Sequence, residues 1–573
     1  MSTAVLPDLP ASPDAFRTAT WAEVLPYYDA LAEAPLGDAS VEGWLDAWSR
    51  LHALVDEAGT LAMIAYTGDT ADAEKESAYL RFSTDIFPRR DEQEVRLARR
   101  LLELGWSRPD LETTIRRFRT DAELFREENV ALSAEVEELS AAYQKVTGGL
   151  SVEWEGERRT IPQLQPLLKS PDRGVRERAF RLGAAAYLEQ RDELARIFDA
   201  MYERRTRIAA NAGFGDFMQY AFAAKYRFDY GPDDVARFHD AVEAAVVPAV
   251  ERLMAHRRAR LGIETVRPWD TGVDLYRERP LRPFESAAEF VAGARRVFAQ
   301  VDPALGRDFA VMADEGLLDL ESRPGKAPGG YCTTLELRGR PFIFMNAVGV
   351  PDDVNTLVHE AGHCFHAFAA HPLRWAWQRG VGHEAAELAS MSMELLAAPH
   401  LARPTGFYDP DDWRSAWLEH LQDVLVTLPH VASVDAFQRW IYTSGEGHDA
   451  AARDRAWLAV RERFDRGVDW SGLERERVSR WYRQLHVFEV PFYYIEYGIA
   501  QLGALQVWRQ SLADPAAAVR RYREALALGG TRPLPEIYAA AGARLVFDAA
   551  GMGELVALVE EHVARLREEI ERG

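Results

Sequence analysis

The stretch Thr356–His371 constrains this chain of 573 residues more than any other part of the sequence. His359 and His363 are four residues apart, so a helix places both imidazoles on one face, with Glu360 next to them. This H-E-x-x-H pattern is typical of a helix that offers two ligands to a tetrahedral zinc ion and a glutamate as a base. The pattern therefore predicts one zinc ion per chain, and it requires a third protein ligand from elsewhere in the fold.

The residues around the motif have the pattern of an amphipathic helix. Its apolar residues recur at the spacing of one buried stripe: Val354, Leu357, Val358, Ala361, Phe365 and Phe368. Asp352 and Asp353 follow Pro351, where capping and the helix dipole favour acidic side chains. We therefore expect the motif on a helix, with its histidines beside the buried stripe.

Composition and charge limit the class of protein. Hydrophobic residues make up 47% and charged residues 28%, and no apolar run is long enough to span a bilayer. The first residues lack the basic and apolar regions of a secretory signal, so we expect a cytoplasmic protein without a membrane partner. A net charge of -22 argues against nucleic acid as a partner. The two cysteines, Cys332 and Cys364, exclude a disulfide framework, and the oligomeric state stays open.

The spacing of apolar residues predicts a mainly α fold in one multi-lobed body. Helical patterns dominate residues 21–148, whereas residues 150–161 change to the period of a small β-hairpin. After a serine-proline-aspartate start, we expect one long helix over residues 173–213. We assign residues 1–195 to an N-terminal helical lobe with the hairpin and residues 196–573 to the catalytic part.

A second pair of strands is predicted directly before the metal helix. The runs Y-C-T-T-L-E-L and P-F-I-F-M-N-A, within residues 325–350, have strand-like composition and are joined by Arg338, Gly339 and Arg340. Such a hairpin places a small sheet beside the metal, and its edge can bind an extended peptide through backbone hydrogen bonds. The alternative is a hairpin that only packs against the helix, and the residues alone leave both interpretations open.

The third ligand has three acidic candidates on a following helix. A metzincin would need a histidine at position 369, which is alanine, so that interpretation fails. The helix predicted over residues 382–399 carries Glu384, Glu387 and Glu394 on one face, at spacings of three and seven. Acidic side chains on an otherwise apolar helix need a partner, and a divalent cation with its histidines supplies one.

At these motifs the chain resembles the thimet oligopeptidase and oligoendopeptidase F family of zinc peptidases. The resemblance rests on H-E-A-G-H, on E-L-A-S-M-S-M-E about 24 residues later, on the preceding G-G-Y-C and F-I-F-M-N segments, and on H-V-F-E-V-P-F-Y-Y-I-E-Y-G near the C-terminal end. These segments follow one another in the family's order over residues 325–545 and are most similar to the oligoendopeptidase F branch. The resemblance implies a helical, clamshell-like fold.

The resemblance also implies roles for individual residues around the metal. His359, His363 and Glu387 become the zinc ligands, and Glu360 becomes the base. Glu394 becomes a carboxylate that supports the ligands.

Further along the chain, the resemblance implies that His486, Tyr494 and Tyr497 donate hydrogen bonds to the oxyanion that forms on the scissile carbonyl. We expect a helix that opens at Pro491 and places both tyrosines on one face. An aromatic core stripe is the alternative for this segment. The chain departs from thimet-like members after the histidine, where it lacks a glycine-rich stretch with an additional tyrosine, so the identity of the second tyrosine stays open.

The resemblance therefore implies a zinc-dependent endopeptidase that hydrolyses internal bonds of short peptides. A zinc carboxypeptidase or dipeptidyl carboxypeptidase is the first alternative, and it would need a basic group that binds the substrate's C-terminus. A non-catalytic peptide-binding protein is the second alternative.

Overall fold

A computed structural model describes residues 6–277 and 279–572 and confirms the mainly helical fold class. In chain order, the α-helices of these residues are α1 (Trp21–Glu33), α2 (Val41–Gly68), α3 (Ala73–Arg81), α4 (Phe87–Leu104), α5 (Glu112–Leu124), α6 (Glu127–Gly148), α7 (Gln165–Leu168), α8 (Arg173–Glu189), α9 (Arg191–Asn211), α10 (Phe217–Ala224), α11 (Pro232–Ala241), α12 (Val247–Leu261) and α13 (Ala287–Val301). They continue with α14 (Pro303–Asp314), α15 (Pro351–Ala370), α16 (Ala376–Arg379), α17 (His383–Ala397), α18 (Pro410–Thr443), α19 (Ala450–Phe464), α20 (Glu474–Tyr482), α21 (Leu485–Phe488), α22 (Tyr494–Ala513), α23 (Pro515–Leu526), α24 (Leu534–Ala540) and α25 (Ala549–Arg572).

Five short strands form two sheets in the described residues: β1 (Ser151–Trp154), β2 (Glu157–Thr160), β3 (Leu318–Glu321), β4 (Tyr331–Leu335) and β5 (Arg340–Ala347). The antiparallel hairpins β1–β2 and β4–β5 confirm the two predicted strand pairs. The second sheet has the order β3-β5-β4, so β4 lies at an edge. We did not predict β3, which pairs with β5 in parallel. Parallel pairing needs a crossover connection and therefore leaves no local turn signal in the sequence.

The Cα atoms cluster into two compact units, each built from separate stretches of the chain. The first unit contains residues 1–123, 281–413 and 503–545, and the second contains the remaining residues. The division of the chain after residue 195 stays a prediction. Among the residues that the structure describes, no helix combines the length and the apolar character needed to cross a membrane.

Aromatic side chains form much of the core of the first unit. Trp44, Trp48 and Trp375 are almost completely buried. The ring of Trp48 lies 5.1 Å from that of Phe118 and 4.3 Å from that of Trp377. Each large aromatic side chain removes much apolar area from water, and offset ring pairs add to that stabilisation. This core holds α2, which packs against β4 and so supports the sheet beside α15.

The second unit has its own aromatic core. Trp481 packs edge to face on Phe198 at 5.5 Å and stacks on Phe488 at 5.7 Å. Trp481 belongs to α20 and Phe488 to α21, the short helix that also carries His486. This aromatic core therefore anchors the part of the chain that carries His486.

The predicted long helix over residues 173–213 is wrong in one respect, because it is two helices. The chain leaves helical geometry at Gln190, where φ is -97° and ψ is 5°, and α9 begins at Arg191. The Arg191 guanidinium binds the Asp454 carboxylate at 2.6 Å. Asp454 is distant from Arg191 in the sequence. The apolar residues have helical spacing both before and after Gln190, so their pattern did not reveal the break between the two helices. Near the predicted end of the helix, Gly213 adopts a φ of 88°, as a helix-stop glycine does.

Candidate metal centre

The helix α15 carries His359, Glu360 and His363, and its start is held by an acidic cap. Pro351 is its first residue, and the Asp353 carboxylate accepts hydrogen bonds from the three backbone N–H groups of residues 348–350 at 2.8, 2.8 and 3.0 Å. These donors precede the helix and would otherwise lack a helical partner. The predicted role of acidic residues at this terminus is therefore confirmed for Asp353.

The helix α17 crosses α15 at Gly362 with almost no space between the two backbones. A Cβ atom at position 362 would lie 2.5 Å from the Cα atom of Ser390 and 2.8 Å from the carbonyl oxygen of Ala389. Real Cβ contacts are essentially never this short. Glycine at this position therefore permits the close crossing, which brings Glu387 over the two histidines.

Three potential ligand atoms converge at this crossing. The Glu387 Oε2 atom lies 3.3 Å from His359 Nε2 and 3.8 Å from His363 Nε2, and all the ligand atoms of this group lie within 4.8 Å of one another. Zinc binds imidazole nitrogen and carboxylate oxygen at about 2.0–2.2 Å and prefers tetrahedral sites, so the three residues fit one zinc ion with a fourth position left for water. The structure thus brings together the three residues predicted as ligands.

Two neighbouring side chains orient these ligands. Glu394 Oε1 lies 2.7 Å from His359 Nδ1, which directs the proton of that ring to Nδ1 and leaves the Nε2 lone pair for a metal. The Ser390 hydroxyl donates to Glu387 Oε2 at 2.9 Å. The sequence analysis did not identify Ser390, although its position three residues after Glu387 on one helix face is a usable signal.

Charges in the centre suit cation binding. Burial lowers the pKa of His363 to about 4, so its imidazole is neutral at pH 7. Burial raises the pKa of Glu387, but the hydrogen bond from His359 and the neighbouring His363 ring lower it to about 2. Burial lowers the pKa of His359, but hydrogen bonds to Glu387 and Glu394 raise it well above its ordinary value. A metal that binds His359 must therefore displace a proton, as metals generally do at ligands of this kind.

Glu360 lies next to the ligands and beside the sheet. Burial raises the pKa of its carboxyl above the ordinary value, and the neighbouring His359 opposes this shift. The nearby backbone of Cys332, in the edge strand β4, also opposes this shift of the Glu360 pKa. The carboxylate that is predicted to act as base thus lies between the metal ligands and the strand edge.

The three acidic residues of α17 differ in position, which leads to a testable prediction. Glu387→Ala is expected to weaken zinc binding by more than about 100-fold, because it removes a predicted direct ligand and not an orienting partner. Glu384→Ala should retain zinc, because Glu384 lies at the first turn of α17 with its carboxylate near Gly382. Elemental analysis after dialysis measures both variants, and equal zinc retention by the two would contradict the assignment.

In the second unit, His486, Tyr493, Tyr494 and Tyr497 form one cluster of rings. The His486 ring centroid lies 4.6 Å from that of Tyr494 and 6.0 Å from that of Tyr497, and Tyr493 lies 5.1 Å from Tyr497. All four side chains are half-buried, unlike a core stripe. The predicted helix carries both Tyr494 and Tyr497, but it begins at Tyr494 and not at Pro491.

A strained residue directs the chain into this cluster. Phe492 has a φ of 64°, a left-handed conformation that bulky residues rarely adopt. Its N–H donates to Gln438 Oε1 at 2.7 Å, and its carbonyl oxygen accepts from the Arg227 guanidinium. Arg227 in turn donates to Glu496 Oε1 at 2.8 Å. Arg227 and Gln438 are distant in sequence from the cluster, so sequence reasoning missed them.

These features define the class of protein. A mainly helical chain with H-E-x-x-H on one helix, α15, and a glutamate from a second helix, α17, at the same point has the site of a metallopeptidase. The sequence profile of peptidase family M3 matches residues 166–556. The chain belongs to peptidase family M3, on the oligoendopeptidase F-like side of it.

Individual known proteins are similar to this chain in sequence or in fold. The oligopeptidase PepF of Bacillus subtilis strain 168 is 23% identical over 296 residues, which cover 50% of this chain and 42% of that protein. The chain thus spans less than half of the length of this relative. The solved structure of PZ peptidase A with an inhibitor is 26% identical, with a TM-score of 0.85 over 97% of this chain and 99% of the other. A protein assigned as an oligoendopeptidase F is 27% identical, with a TM-score of 0.86 over the same shares of the two chains.

Proposed function

We propose that this protein is a zinc-dependent endopeptidase that hydrolyses internal bonds of short peptides. The observation that carries the proposal is the convergence of His359, His363 and Glu387 within 4.8 Å, with Glu360 adjacent in the same helix. Membership of family M3 supports peptide hydrolysis as the reaction class.

Zinc, when bound here, would lower the pKa of a water molecule and polarise the scissile carbonyl. Glu360 takes the proton of the attacking water and later passes it to the leaving amine, as a general acid–base does. A raised pKa brings its carboxyl closer to the working pH, which favours transfer in both directions. His359 and Glu394 support this geometry through their 2.7 Å contact.

We propose that the edge of β4 binds the peptide in extended form. In the described part of the chain, β4 pairs with β5 on one side only. Its residues from Tyr331 to Thr334 are half-buried and not covered by the core. An added strand would make main-chain hydrogen bonds irrespective of its side chains. Its scissile bond would come near Glu360, because β4 packs against α15, the helix that carries Glu360.

We further propose that His486, Tyr494 and Tyr497 donate hydrogen bonds to the oxyanion. The resemblance of their segment to oligoendopeptidase F supports this role, as do their half-buried rings and the constrained backbone at Phe492. Tyr497→Phe is expected to lower kcat by about 10² to 10³ with little change in KM, because the hydroxyl acts mainly on the transition state. Tyr494→Phe is the matched variant, and kinetics against one quenched peptide compare the two. An unchanged kcat in Tyr497→Phe would remove this residue from the proposed mechanism.

The proposal also includes the partners of the protein and its location in the cell. Short peptides are the proposed partners, whereas the net charge of -22 disfavours nucleic acid. We propose cytoplasmic residence and no membrane partner. The oligomeric state is left open.

Peptides blocked at both ends test the proposal directly. The zinc-loaded enzyme is expected to cut them at internal bonds, and mass spectrometry identifies the products. A chelator should abolish cleavage, and added zinc should restore it. Cleavage restricted to peptides with a free C-terminus would instead indicate a carboxypeptidase or dipeptidyl carboxypeptidase. Zinc binding without cleavage of any peptide would indicate a peptide-binding protein.

A further inference from the structure

The two cysteines of the chain come together beside the metal centre. Cys332 lies in β4 and Cys364 lies in α15, and their sulfur atoms are 3.3 Å apart. Both are free thiols. No other cysteine occurs among the 573 residues, and the two positions are 32 residues apart in the sequence.

We propose that Cys332 and Cys364 are a modification site, at which a hydroperoxide converts the thiol pair into a disulfide and thereby suppresses peptide hydrolysis. The effect on hydrolysis rests on the proposed function, whereas the formation of the disulfide does not.

The geometry allows the bond with a small displacement. A disulfide has a sulfur–sulfur distance of about 2.05 Å, so the two sulfur atoms need to approach by roughly 1.2 Å. The strand β4 is an edge strand and packs against α15 in the same unit. Bond formation therefore needs local movement of the strand edge or of the Cys332 side chain, and no rearrangement of the fold.

Exposure decides which sulfur reacts first. Cys364 is completely buried, whereas Cys332 is half-buried, so a small oxidant reaches Cys332 more easily. The Cys332 thiolate attacks one oxygen of the hydroperoxide, a sulfur–oxygen bond forms and the oxygen–oxygen bond breaks, so Cys332 becomes a sulfenic acid. The other fragment takes up a proton and leaves as an alcohol, or as water if the oxidant is hydrogen peroxide. The Cys364 thiol then attacks the Cys332 sulfur and releases water. In total, the two thiols lose two protons and two electrons, and the hydroperoxide accepts them as its oxygen–oxygen bond breaks.

The disulfide would displace residues of the metal centre at both of its cysteines. Cys364 directly follows the predicted ligand His363, and Cys332 lies in β4, which packs against the helix α15 that carries Glu360. A displacement of about 1 Å in a catalytic group can lower the rate by about 10²-fold. We therefore expect oxidation to lower kcat by at least about tenfold, and a dithiol reductant to restore it.

Hydrogen peroxide added to the zinc-loaded full chain tests the proposal. Peptide mapping without reductant should yield a cross-linked pair that contains Cys332 and Cys364, with the loss of two hydrogen atoms. Hydrolysis of a quenched peptide should fall with the same dose dependence, and dithiothreitol should reverse both changes. Zinc content is followed in every sample, and loss of zinc and activity without the cross-link would overturn the proposal.

Two variants keep the test specific. Cys332→Ser removes the reactive sulfur, and Cys364→Ala removes the resolving sulfur, so neither should form the cross-link. Treated Cys332→Ser should keep its activity relative to its own untreated sample. Equal inactivation of the wild type and Cys332→Ser, or inactivation of the wild type without a cross-link, would overturn the proposal. If the untreated wild type hydrolyses no peptide, the proposed function fails, while the mass measurement still decides whether the disulfide forms.

Discussion

Glu360→Gln is expected to leave the zinc content unchanged and to lower kcat by about 10² to 10⁴-fold. The amide has nearly the same shape as the carboxylate, so the packing between α15 and β4 stays intact. It cannot accept a proton from the attacking water, and it has none to return to the leaving amine. Elemental analysis and steady-state kinetics on the same preparation measure the two quantities.

Glu384→Gln is the matched control for this substitution. Glu384 is also a buried acid next to the centre, but it lies outside the group formed by His359, His363 and Glu387. The control is expected to keep both zinc and most of the activity. A metal-loaded Glu360→Gln enzyme with nearly normal turnover would refute the role of Glu360 as base.

Gly362→Ala is expected to lose both metal affinity and stability. The added methyl group would meet the Ser390 Cα atom at 2.5 Å, so α15 and α17 must separate. Separation moves Glu387 away from the histidines on the opposite helix. Overpacking of this kind lowers the free energy of unfolding by about 1–3 kcal/mol. Zinc titration and thermal unfolding with and without chelator measure the two effects separately.

Gly43→Ala provides the control for the general effect of an alanine in a helix. Gly43 lies in α2, and a Cβ atom there meets nothing within 4 Å. The substitution should raise the free energy of unfolding by about 0.4–1 kcal/mol, because alanine loses less backbone entropy on folding. If Gly362→Ala behaves like Gly43→Ala and keeps its zinc, the close crossing does not position Glu387.

Local signals predicted the elements on which the site is built. The helix around His359 and His363 was predictable because its apolar stripe and its acidic start depend on neighbouring residues only. The β4–β5 hairpin was predictable for the same reason, since a short turn connects the two strands. The roles of His486, Tyr494 and Tyr497 rest on family resemblance and stay predictions.

Residue spacing is sufficient to predict a helix that carries two histidines on one face, with a glutamate next to them, as a possible metal site. It is also sufficient to predict that a following helix carries three acidic candidates. The packing of α17 on α15 shows that Glu387 is the acid that meets the histidines, through the close crossing at Gly362, and that Glu394 contacts His359 Nδ1. Only the tertiary structure brought Cys332 to Cys364. Local spacing specifies which residues share a helix face, whereas the packing of whole elements decides which faces meet.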